Sequence, residues 1–510
     1  MSNFLNALKN DANYTFTENG GITHKTTTSD LLDMFAMGAA MRKRSDEDVI
    51  LMWRKAYAEN PVYALKCLFY IRDVRGGQGE RRFFRVCMKD LAKQDYQAAK
   101  RNLEYVPEFG RWDDLYLFVG TKLENDAFRL MKRQLALDVE CKTPSLLAKW
   151  LKSENTSSQE SRELGNKTRM AFGMTHKQYR KTLSILRERI NIVERLMSEN
   201  RWDEIEFDKI PSRAGMIYKN AFARRDIIKA KYAAFAKDEN TKVNASVLYP
   251  YECVAEAYKA ISNGWYGYKL PEADDTNRLM INKYWDNLTD YFNGASFNGL
   301  AMVDTSGSMT GSEASAPINV ATSLGIYCAE KAKGPFAGHY ISFSSRPQLI
   351  AVEGVDFVDK CYRIIKTDLC ENTNIERAFD MLLNTAIQHK MSQADLPENI
   401  IVISDMEFDR ATGNYSWNTP LSEREARCSE VAQTVMETIA SKWQRAGYEV
   451  PHLIFWNVQA RQNNIPMLGN GRVSFVSGFS PSIFEVIMSG KTGYELMMEC
   501  LNKERYAVIQ

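Results

Sequence analysis

Ala301-Met302-Val303-Asp304-Thr305-Ser306-Gly307-Ser308-Met309 is an apolar run that ends in Asp-x-Ser-x-Ser. The pattern predicts a buried strand that delivers one carboxylate and two hydroxyls to its C-terminal end. Mg2+ prefers oxygen ligands in a near-octahedral array and usually keeps several waters. Asp304, Ser306 and Ser308 would supply part of that shell and leave room for a ligand from outside. The alternative is a capped turn, because Asp and Ser are also common N-caps.

Strand-like and helix-like segments alternate from residue 300 onward. Such alternation predicts a mainly parallel sheet covered by helices, with ligands at the carboxyl ends of the strands. Asp304 lies where that rule places a binding site. The predicted strands are 300–303, 338–343, 348–352, 400–404, 452–456 and 473–476, and the predicted helices are 318–333, 375–388, 424–445 and 482–488.

The Asp-x-Ser-x-Ser motif resembles the metal-ion-dependent adhesion site of von Willebrand factor A domains. That resemblance implies a Thr from a later loop, here Thr373, and an Asp at the end of a middle strand, here Asp405. Asp405 would bind through water or orient the two serines. The family usually has Gly before the Thr and often Asp after it, whereas this chain has Asn372 and Asn374. The predicted cofactor is Mg2+ or another divalent cation.

Residues 29–290 are predicted as a series of mostly short amphipathic helices, without convincing strands. It is similar to an α-helical repeat array, although no strict sequence period is visible. The predicted domains are an N-terminal extension (1–28), a helical-repeat domain (29–292) and an α/β domain (293–510). The predicted fold class is therefore multidomain, with a HEAT-like helical array followed by a Rossmann-like, mainly parallel sheet.

The charge of the chain is divided unevenly. Residues 1–290 contain 48 Lys and Arg against 40 Asp and Glu, and residues 291–510 contain 18 against 24. A basic first part indicates a polyanionic partner. The alternative is a set of solvated helix faces.

Composition excludes several classes of protein. The first 20 residues lack the apolar core of a signal peptide, and no stretch approaches a membrane span, so no membrane partner is expected. The nine Cys form no CxxC pair and the five His form no metal motif. These features favour reduced thiols in a cytoplasmic protein without a zinc site.

Three basic groups are candidates for nucleic-acid contact, because phosphate neutralisation and base stacking are what single-stranded RNA binding uses. The first surrounds Gly76-Gly77-Gln78-Gly79, a loop predicted to expose backbone N–H groups to an anion. The alternatives are a tight turn and surface ion pairs. In the third group, Tyr218 and Phe222 are four residues apart, which favours core packing. The groups are Arg72, Arg75, Arg81, Arg82 and Arg85; Lys177, Arg180, Lys181, Arg187 and Arg189 with Tyr179; and Arg213, Lys219, Arg224, Arg225, Lys229 and Lys231 with Tyr218 and Phe222.

The order of the two domains resembles the Ro autoantigen architecture, a TROVE module followed by a von Willebrand A domain. The motifs that carry the resemblance are residues 68–82, 193–195, 210–212, 404–408 and 476–480, and they are most similar to an uncharacterised Ro-related family of bacteria, phages and plants. The resemblance implies a helical ring that binds single-stranded ends of misfolded RNAs and structured Y RNAs. A His-Lys pair followed by a basic residue lines the ring in Ro, which implies roles for His176, Lys177 and Lys181.

The predicted function is non-enzymatic binding of single-stranded or structured, Y RNA-like non-coding RNA by a monomer, with an exoribonuclease as a further partner. The alternative is a protein-interaction scaffold that captures a partner carboxylate at the metal. Catalysis is the weakest hypothesis: Asp304 and Asp405 have no second carboxylate cluster beside them, and no GxSxG context surrounds the serines.

Overall fold

The structure is a computed structural model of the 510-residue chain. It describes residues 12–190, 192–264, 267–343, 346–367, 374–409, 434–467, 472–488 and 490–510.

Helices occupy most of the first half of the chain and alternate with strands in the second half. The helices of the described residues are α1 (Asp30–Met37), α2 (Asp46–Glu59), α3 (Pro61–Arg72), α4 (Arg82–Gln94), α5 (Tyr96–Arg101), α6 (Val106–Phe109), α7 (Glu124–Glu140), α8 (Leu147–Trp150), α9 (Gln159–Phe172), α10 (His176–Arg189), α11 (Val193–Ser198), α12 (Ser212–Arg224), α13 (Asp226–Lys237), α14 (Pro250–Ala260), α15 (Thr276–Asp286), α16 (Pro317–Lys331), α17 (Phe357–Ile365), α18 (Ile375–Gln388), α19 (Val435–Arg445), α20 (Phe484–Ile487) and α21 (Gly493–Leu501). The strands are β1 (Tyr14–Phe16), β2 (Ile22–His24), β3 (Ser262–Gly264), β4 (Gly267–Lys269), β5 (Gly299–Asp304), β6 (His339–Phe343), β7 (Gln348–Ala351), β8 (Asn399–Ser404), β9 (His452–Asn457) and β10 (Val473–Ser477).

The chain forms two compact units that interleave along the sequence. One, called the sheet unit, comprises Met1–Cys67 and Leu248–Lys503; the other, the helical unit, comprises Leu68–Val247 and Glu504–Gln510. The division falls within α3. The sequence predicted consecutive domains, whereas helices such as α1 and α14 group with the sheet.

The sheet unit is built on six strands in the order β10-β9-β8-β5-β6-β7. All neighbouring pairs are parallel except β6 and β7, which are antiparallel. Every residue of β5 and β9 is buried, which explains their continuous apolar sequences. A helical array followed by a mostly parallel sheet confirms the predicted fold class.

The β3–β4 hairpin corrects the prediction that residues 29–290 lack strands. A second hairpin, in which β1 pairs with β2, lies inside the predicted N-terminal extension. Strands of three residues are too short to give an alternation that can be recognised in the sequence. The predicted helix at 424–445 is described from Val435 onward, and its earlier part lies outside the described residues.

No helix among the described residues has the length and apolar character needed to cross a bilayer. The described cysteines are free thiols, and all of them except Cys141 are buried. The cytoplasmic location stays a prediction.

Candidate metal site and candidate nucleic-acid surface

Adjacent parallel strands bring Asp304 and Asp405 to the same edge of the sheet. β5 and β8 are in register with Val303 opposite Ile403, so Asp304 ends one strand and Asp405 follows the other. Both carboxylates are buried, with 0% and 1% of their surface exposed. Parallel strands present their carboxyl ends at one edge, which is why residues 101 positions apart in sequence converge here.

Hydrogen bonds fix the orientation of Asp304. Its Oδ1 accepts the backbone N–H of Ser306 at 2.9 Å, and its Oδ2 accepts the hydroxyl of Ser404 at 2.5 Å. The hydroxyl oxygens of Ser306 and Ser308 lie 3.0 Å apart. One carboxylate and two hydroxyls therefore converge as the Asp-x-Ser-x-Ser motif predicted.

Asp405 is held differently, and one of its oxygens has no hydrogen bond. Its Oδ1 accepts the N–H of Glu407 at 3.3 Å, whereas its buried Oδ2 accepts none. The next residue, Met406, has a φ of 65°, a left-handed conformation that is uncommon for a side chain other than Gly and is often found at functional sites. Burial raises the pKa of both Asp304 and Asp405, and the charge of Asp405 raises the pKa of Asp304 further.

The residues present fit a hard divalent cation. Carboxylate and hydroxyl oxygens are the ligands that such a cation prefers, and Asp405 Oδ2, which accepts no hydrogen bond, is an oxygen that a cation would satisfy. Among the described residues no group of three or more His, Cys, Asp or Glu side chains is placed to hold a metal, so any site here depends on the serines as well. Thr373 lies outside the described residues, and its role and the identity of the metal stay predictions.

Two residues beside this site were not predicted. Arg461 places its Nε 3.4 Å from Asp405 Oδ2 and donates an N–H to the carbonyl of Ser308. Glu407, which is 1% exposed, accepts the side-chain amide of Asn464 at 2.8 Å, and burial raises its pKa to about 7. Arg461 follows shortly after β9, which lies next to β8 in the sheet. This position is the sequence feature that could have indicated its role.

Two arginines of the first basic group, Arg72 and Arg81, form internal ion pairs. Arg72 is 2% exposed and donates to Asp114 Oδ2 from Nε at 2.9 Å and from Nη2 at 2.6 Å. Arg81 donates to the other oxygen of Asp114 and to Asp113. Burial alone would raise the pKa of Asp114, but Arg72 and Arg81 outweigh it and hold that pKa below its ordinary value. The structure thus places Arg72 in the interior and not on the predicted RNA surface.

The glycine loop is a tight turn that caps α3 and not the predicted anion site. The backbone N–H groups of Gln78, Gly79 and Glu80 donate to carbonyls near the end of that helix, those of Tyr70, Asp73 and Ile71. They are therefore not directed at an outside anion. Of the remaining members of this group, Arg75 is exposed and donates to the Glu108 carbonyl, and Arg82 and Arg85 are half-buried.

The second basic group lies together on α10. Its first turn is capped by Thr175, and His176, Lys177, Arg180 and Lys181 are all exposed. His176 Nδ1 lies 3.0 Å from the carboxylate of Glu154. Within the described residues no ion pair joins Lys177, Arg180 or Lys181 to a carboxylate, so three positive charges face solvent on one helix.

The third basic group lies where α12 meets α13. Arg224 and Arg225 are exposed, and the Arg225 guanidinium lies 5.0 Å from the centre of the Trp202 ring. Phe222 is 0% exposed and packs against Phe207 and Tyr232, as its spacing from Tyr218 predicted.

A groove of about 440 Å³ runs beside α10 within the helical unit. Its floor includes Tyr179 and Leu183, which are 0% and 3% exposed, and Arg180 stands at its rim. Arg187 fixes one wall by donating to the carbonyls of Ala148 and Leu151, both at 2.9 Å. The lining residues are Ser153, Glu154, Asn155, Tyr179, Arg180, Leu183, Ser184, Arg187, Ile192, Glu194, Arg195, Ser198 and Glu199.

Comparison with known proteins finds a relative over nearly the full length, and the solved structures that match include one of low similarity. "Uncharacterized protein L728" of Acanthamoeba polyphaga mimivirus is 28% identical over 525 aligned residues, which cover 94% of this chain and 85% of that protein. The crystal structure of the Deinococcus radiodurans Ro (RSR) protein aligns with 93% of this chain and 94% of its own at 16% identity and a TM-score of 0.35, a value that does not establish a shared fold.

Two family models match the chain, and both describe domains of unknown function. The model named DUF7788 matches residues 298–506, which contain the six-stranded sheet and the candidate metal site. The model named DUF2828 matches residues 17–145 and 138–294, more than half of the chain. The chain therefore belongs to the DUF2828 family.

Proposed function

We propose that this protein binds single-stranded RNA through α10 and the groove beside it, and that it carries a divalent cation at the edge formed by β5 and β8. The observation that carries the proposal is the set of three exposed cations on α10, Lys177, Arg180 and Lys181, which have no carboxylate partner within the described residues. RNA phosphates attract such charges, and a groove of this size has room for a base while the RNA backbone lies along α10.

The charge of the helical unit supports an anionic partner. Its residues include 37 Lys and Arg against 26 Asp and Glu, while the sheet unit has 29 against 38. The difference in net charge between the two units is larger than the difference between residues 1–290 and residues 291–510. A strongly basic unit attracts polyanions at long range and raises their association rate.

The test is a salt titration of RNA binding by the intact protein. The Lys177→Gln/Arg180→Gln/Lys181→Gln variant should bind single-stranded RNA more weakly, and the slope of log affinity against log salt should shrink by about 2, because three phosphate contacts are lost at roughly 0.7 each. A matched control, Lys122→Gln/Lys132→Gln/Lys142→Gln, removes the same charge from exposed positions on and beside α7. Equal losses of RNA affinity in the two variants would show that the effect depends on net charge alone, and would contradict α10 as the binding site.

At the candidate metal site, Asp304 and the hydroxyls of Ser306 and Ser308 would hold the cation, and Asp405 would orient them or bind through water. A bound divalent cation would supply a strong local positive charge for an oxygen ligand. The half-exposed Ser308 at this edge favours a second candidate function, the capture of a partner carboxylate. Binding of a carboxylate partner from RNase-treated extract that requires Mg2+, is lost in Asp304→Asn, and persists in the α10 triple variant would support this alternative.

A further inference from the structure

A positively charged side chain already contacts the candidate metal site. The guanidinium of Arg461 donates from Nη2 to the carbonyl of Ser308, and its Nε lies 3.4 Å from Asp405 Oδ2. Ser308 and Asp405 stand at the ends of two different strands, so one guanidinium contacts both loops from which the site is built. The Arg461 side chain is 29% exposed, and its charge is therefore only partly screened by solvent.

The contact between Arg461 and Asp405 neutralises charge without a hydrogen bond. Arg461 Nε and Asp405 Oδ2 are both buried, and neither has a hydrogen-bond partner. The opposite charges of this buried pair attract each other, but Arg461 Nε and Asp405 Oδ2 each lack a hydrogen bond, which costs free energy. Asp405 can therefore exchange Arg461 for another cation without breaking a hydrogen bond between them.

A second acceptor for Arg461 comes from the turn between β1 and β2. Glu18 Oε2 accepts from Arg461 Nη1 at 3.2 Å. The position of this turn does not depend on that carboxylate: the Glu18 N–H donates to Glu407 Oε2 at 2.7 Å, and the Thr17 hydroxyl donates to the carbonyl of Phe408 at 2.6 Å. The turn also has no room for a side chain at Gly21, where a Cβ would lie 2.7 Å from the Phe408 carbonyl oxygen.

We propose that Arg461 is an internal counter-cation of the candidate metal site, which compensates Asp405 in the metal-free protein and lowers the site's affinity for a divalent cation. Arg461 stays bound to Ser308 and Glu18 when Asp405 turns to another cation, so Glu18 acts as the alternative acceptor that makes the exchange easier. The proposal rests on the metal site of the proposed function. It makes Arg461 and Glu18 positioning residues that tune metal affinity in opposite directions.

The experiment is isothermal titration of Mg2+ and Mn2+ into the full-length chain, with Asp304→Asn to identify the heat that belongs to this site. Arg461→Gln should bind the metal about tenfold more tightly, because a like charge next to the cation is removed. Glu18→Gln should bind it more weakly, and this effect should vanish in the Arg461→Gln background because Glu18 acts through Arg461. Arg461→Lys keeps the charge and should stay close to the unsubstituted protein.

A second experiment, without metal, tests the contact between Arg461 and Asp405 independently of whether the site binds a metal. Thermal unfolding in EDTA is measured for Arg461→Gln, Asp405→Asn and the double variant. The three midpoints, with that of the unsubstituted protein, give the coupling free energy between the two residues. Arg461→Gln should lower the unfolding midpoint less when Asp405 has already been replaced by the neutral Asn. Metal binding that depends on Asp304 but is unchanged or weakened in Arg461→Gln would overturn the counter-cation and leave the site standing. The absence of any Asp304-dependent binding in every variant would overturn both.

Discussion

At the scale of single residues, the charges that matter most for stability are those that solvent cannot reach. Asp114 is 0% exposed and is shared by Arg72 and Arg81, with Arg72 itself 2% exposed. An Arg-rich stretch of sequence does not reveal which guanidinium will lie inside, because the partner carboxylate is more than 30 residues away. The role of Arg72 follows from that partner: it compensates a buried carboxylate.

Arg72→Ala should therefore destabilise the protein and not weaken RNA binding selectively. Removal of one partner of a buried ion pair typically costs about 3–5 kcal/mol. Because Arg81 still compensates part of the Asp114 charge, we expect a loss near the lower end of that range. Urea unfolding measures the change. Arg75→Ala is the matched control, since Arg75 is exposed and its side chain donates to the Glu108 carbonyl. It should change the unfolding free energy by about 0.5 kcal/mol or less.

His452 should make stability depend on pH. Burial, with help from Arg472, lowers its pKa to about 4, and its ring nitrogens lie 3.1 Å from Asn399 Oδ1 and 3.0 Å from Ser474 Oγ. The folded state thus holds the neutral ring, while an unfolded His titrates at its ordinary value of about 6.5. This contribution is complete above pH 6.5 and is lost as the pH falls toward 4, by up to about 3 kcal/mol.

Thermal unfolding of His452→Gln across this pH range measures the effect. The variant should lose less stability between pH 7 and pH 4.5 than the unsubstituted chain. His339→Gln changes an exposed histidine on β6 and serves as the control. Parallel pH profiles for His452→Gln and the unsubstituted protein would contradict the assignment.

At the scale of elements, the sheet was predictable and the glycine loop was not. β5, β8 and β9 are buried on both faces, so their sequences are almost uninterrupted apolar runs. The site residues follow from where β5 and β8 end. A Gly-rich loop next to arginines has the same sequence whether its N–H groups face a phosphate or a helix end. Arg461 was missed for a similar reason, because its contacts with Ser308 and Glu18 join residues more than 150 positions apart.

The turn after α3 should tolerate a side chain at one glycine and not at its neighbour. A Cβ at Gly77 would lie 2.0 Å from the Tyr70 carbonyl oxygen, whereas at Gly76 the nearest atom is the Asp73 carboxylate at 3.2 Å. Gly77→Ala should therefore cost about 3 kcal/mol or more through backbone displacement, and Gly76→Ala much less. Urea unfolding of the two variants gives the comparison, and equal costs would show that the turn is not packed as described.

At the scale of the whole molecule, the chain crosses between its two units more than once. After the sheet unit ends at Lys503, residues 504–510 return to the helical unit. There Arg505 and Tyr506 both donate to the buried carboxylate of Asp73, and the Gln510 N–H donates to Asn102 at 3.0 Å. A short segment distant in sequence thus completes the helical unit.

Removal of residues 504–510 should destabilise the helical unit, because Asp73 loses its hydrogen bonds to Arg505 and Tyr506, and the Tyr506 ring no longer packs against Phe109. The expected loss is about 2–4 kcal/mol, seen as a lower midpoint for one transition in calorimetry or urea unfolding. Val508→Ala, at a position that is 38% exposed, is the control within the same segment. A deletion that leaves every transition unchanged would show that these contacts contribute nothing to stability.

The sheet unit is formed by two segments that are distant in sequence, so some of its contacts can form only late in synthesis. The hydroxyl of Ser477, in β10, donates to the carbonyl of Phe35, in α1, at 2.8 Å across 442 positions of sequence. A ribosome that adds about 5–20 residues per second needs roughly 20–90 s to make the second partner after the first. During that interval the apolar side chains of α1, among them Leu31, Met34 and Phe35, have emerged but lack the strand that buries them. The newborn chain is therefore expected to need protection from aggregation for most of its own translation, until β10 is made and α1 can pack against it.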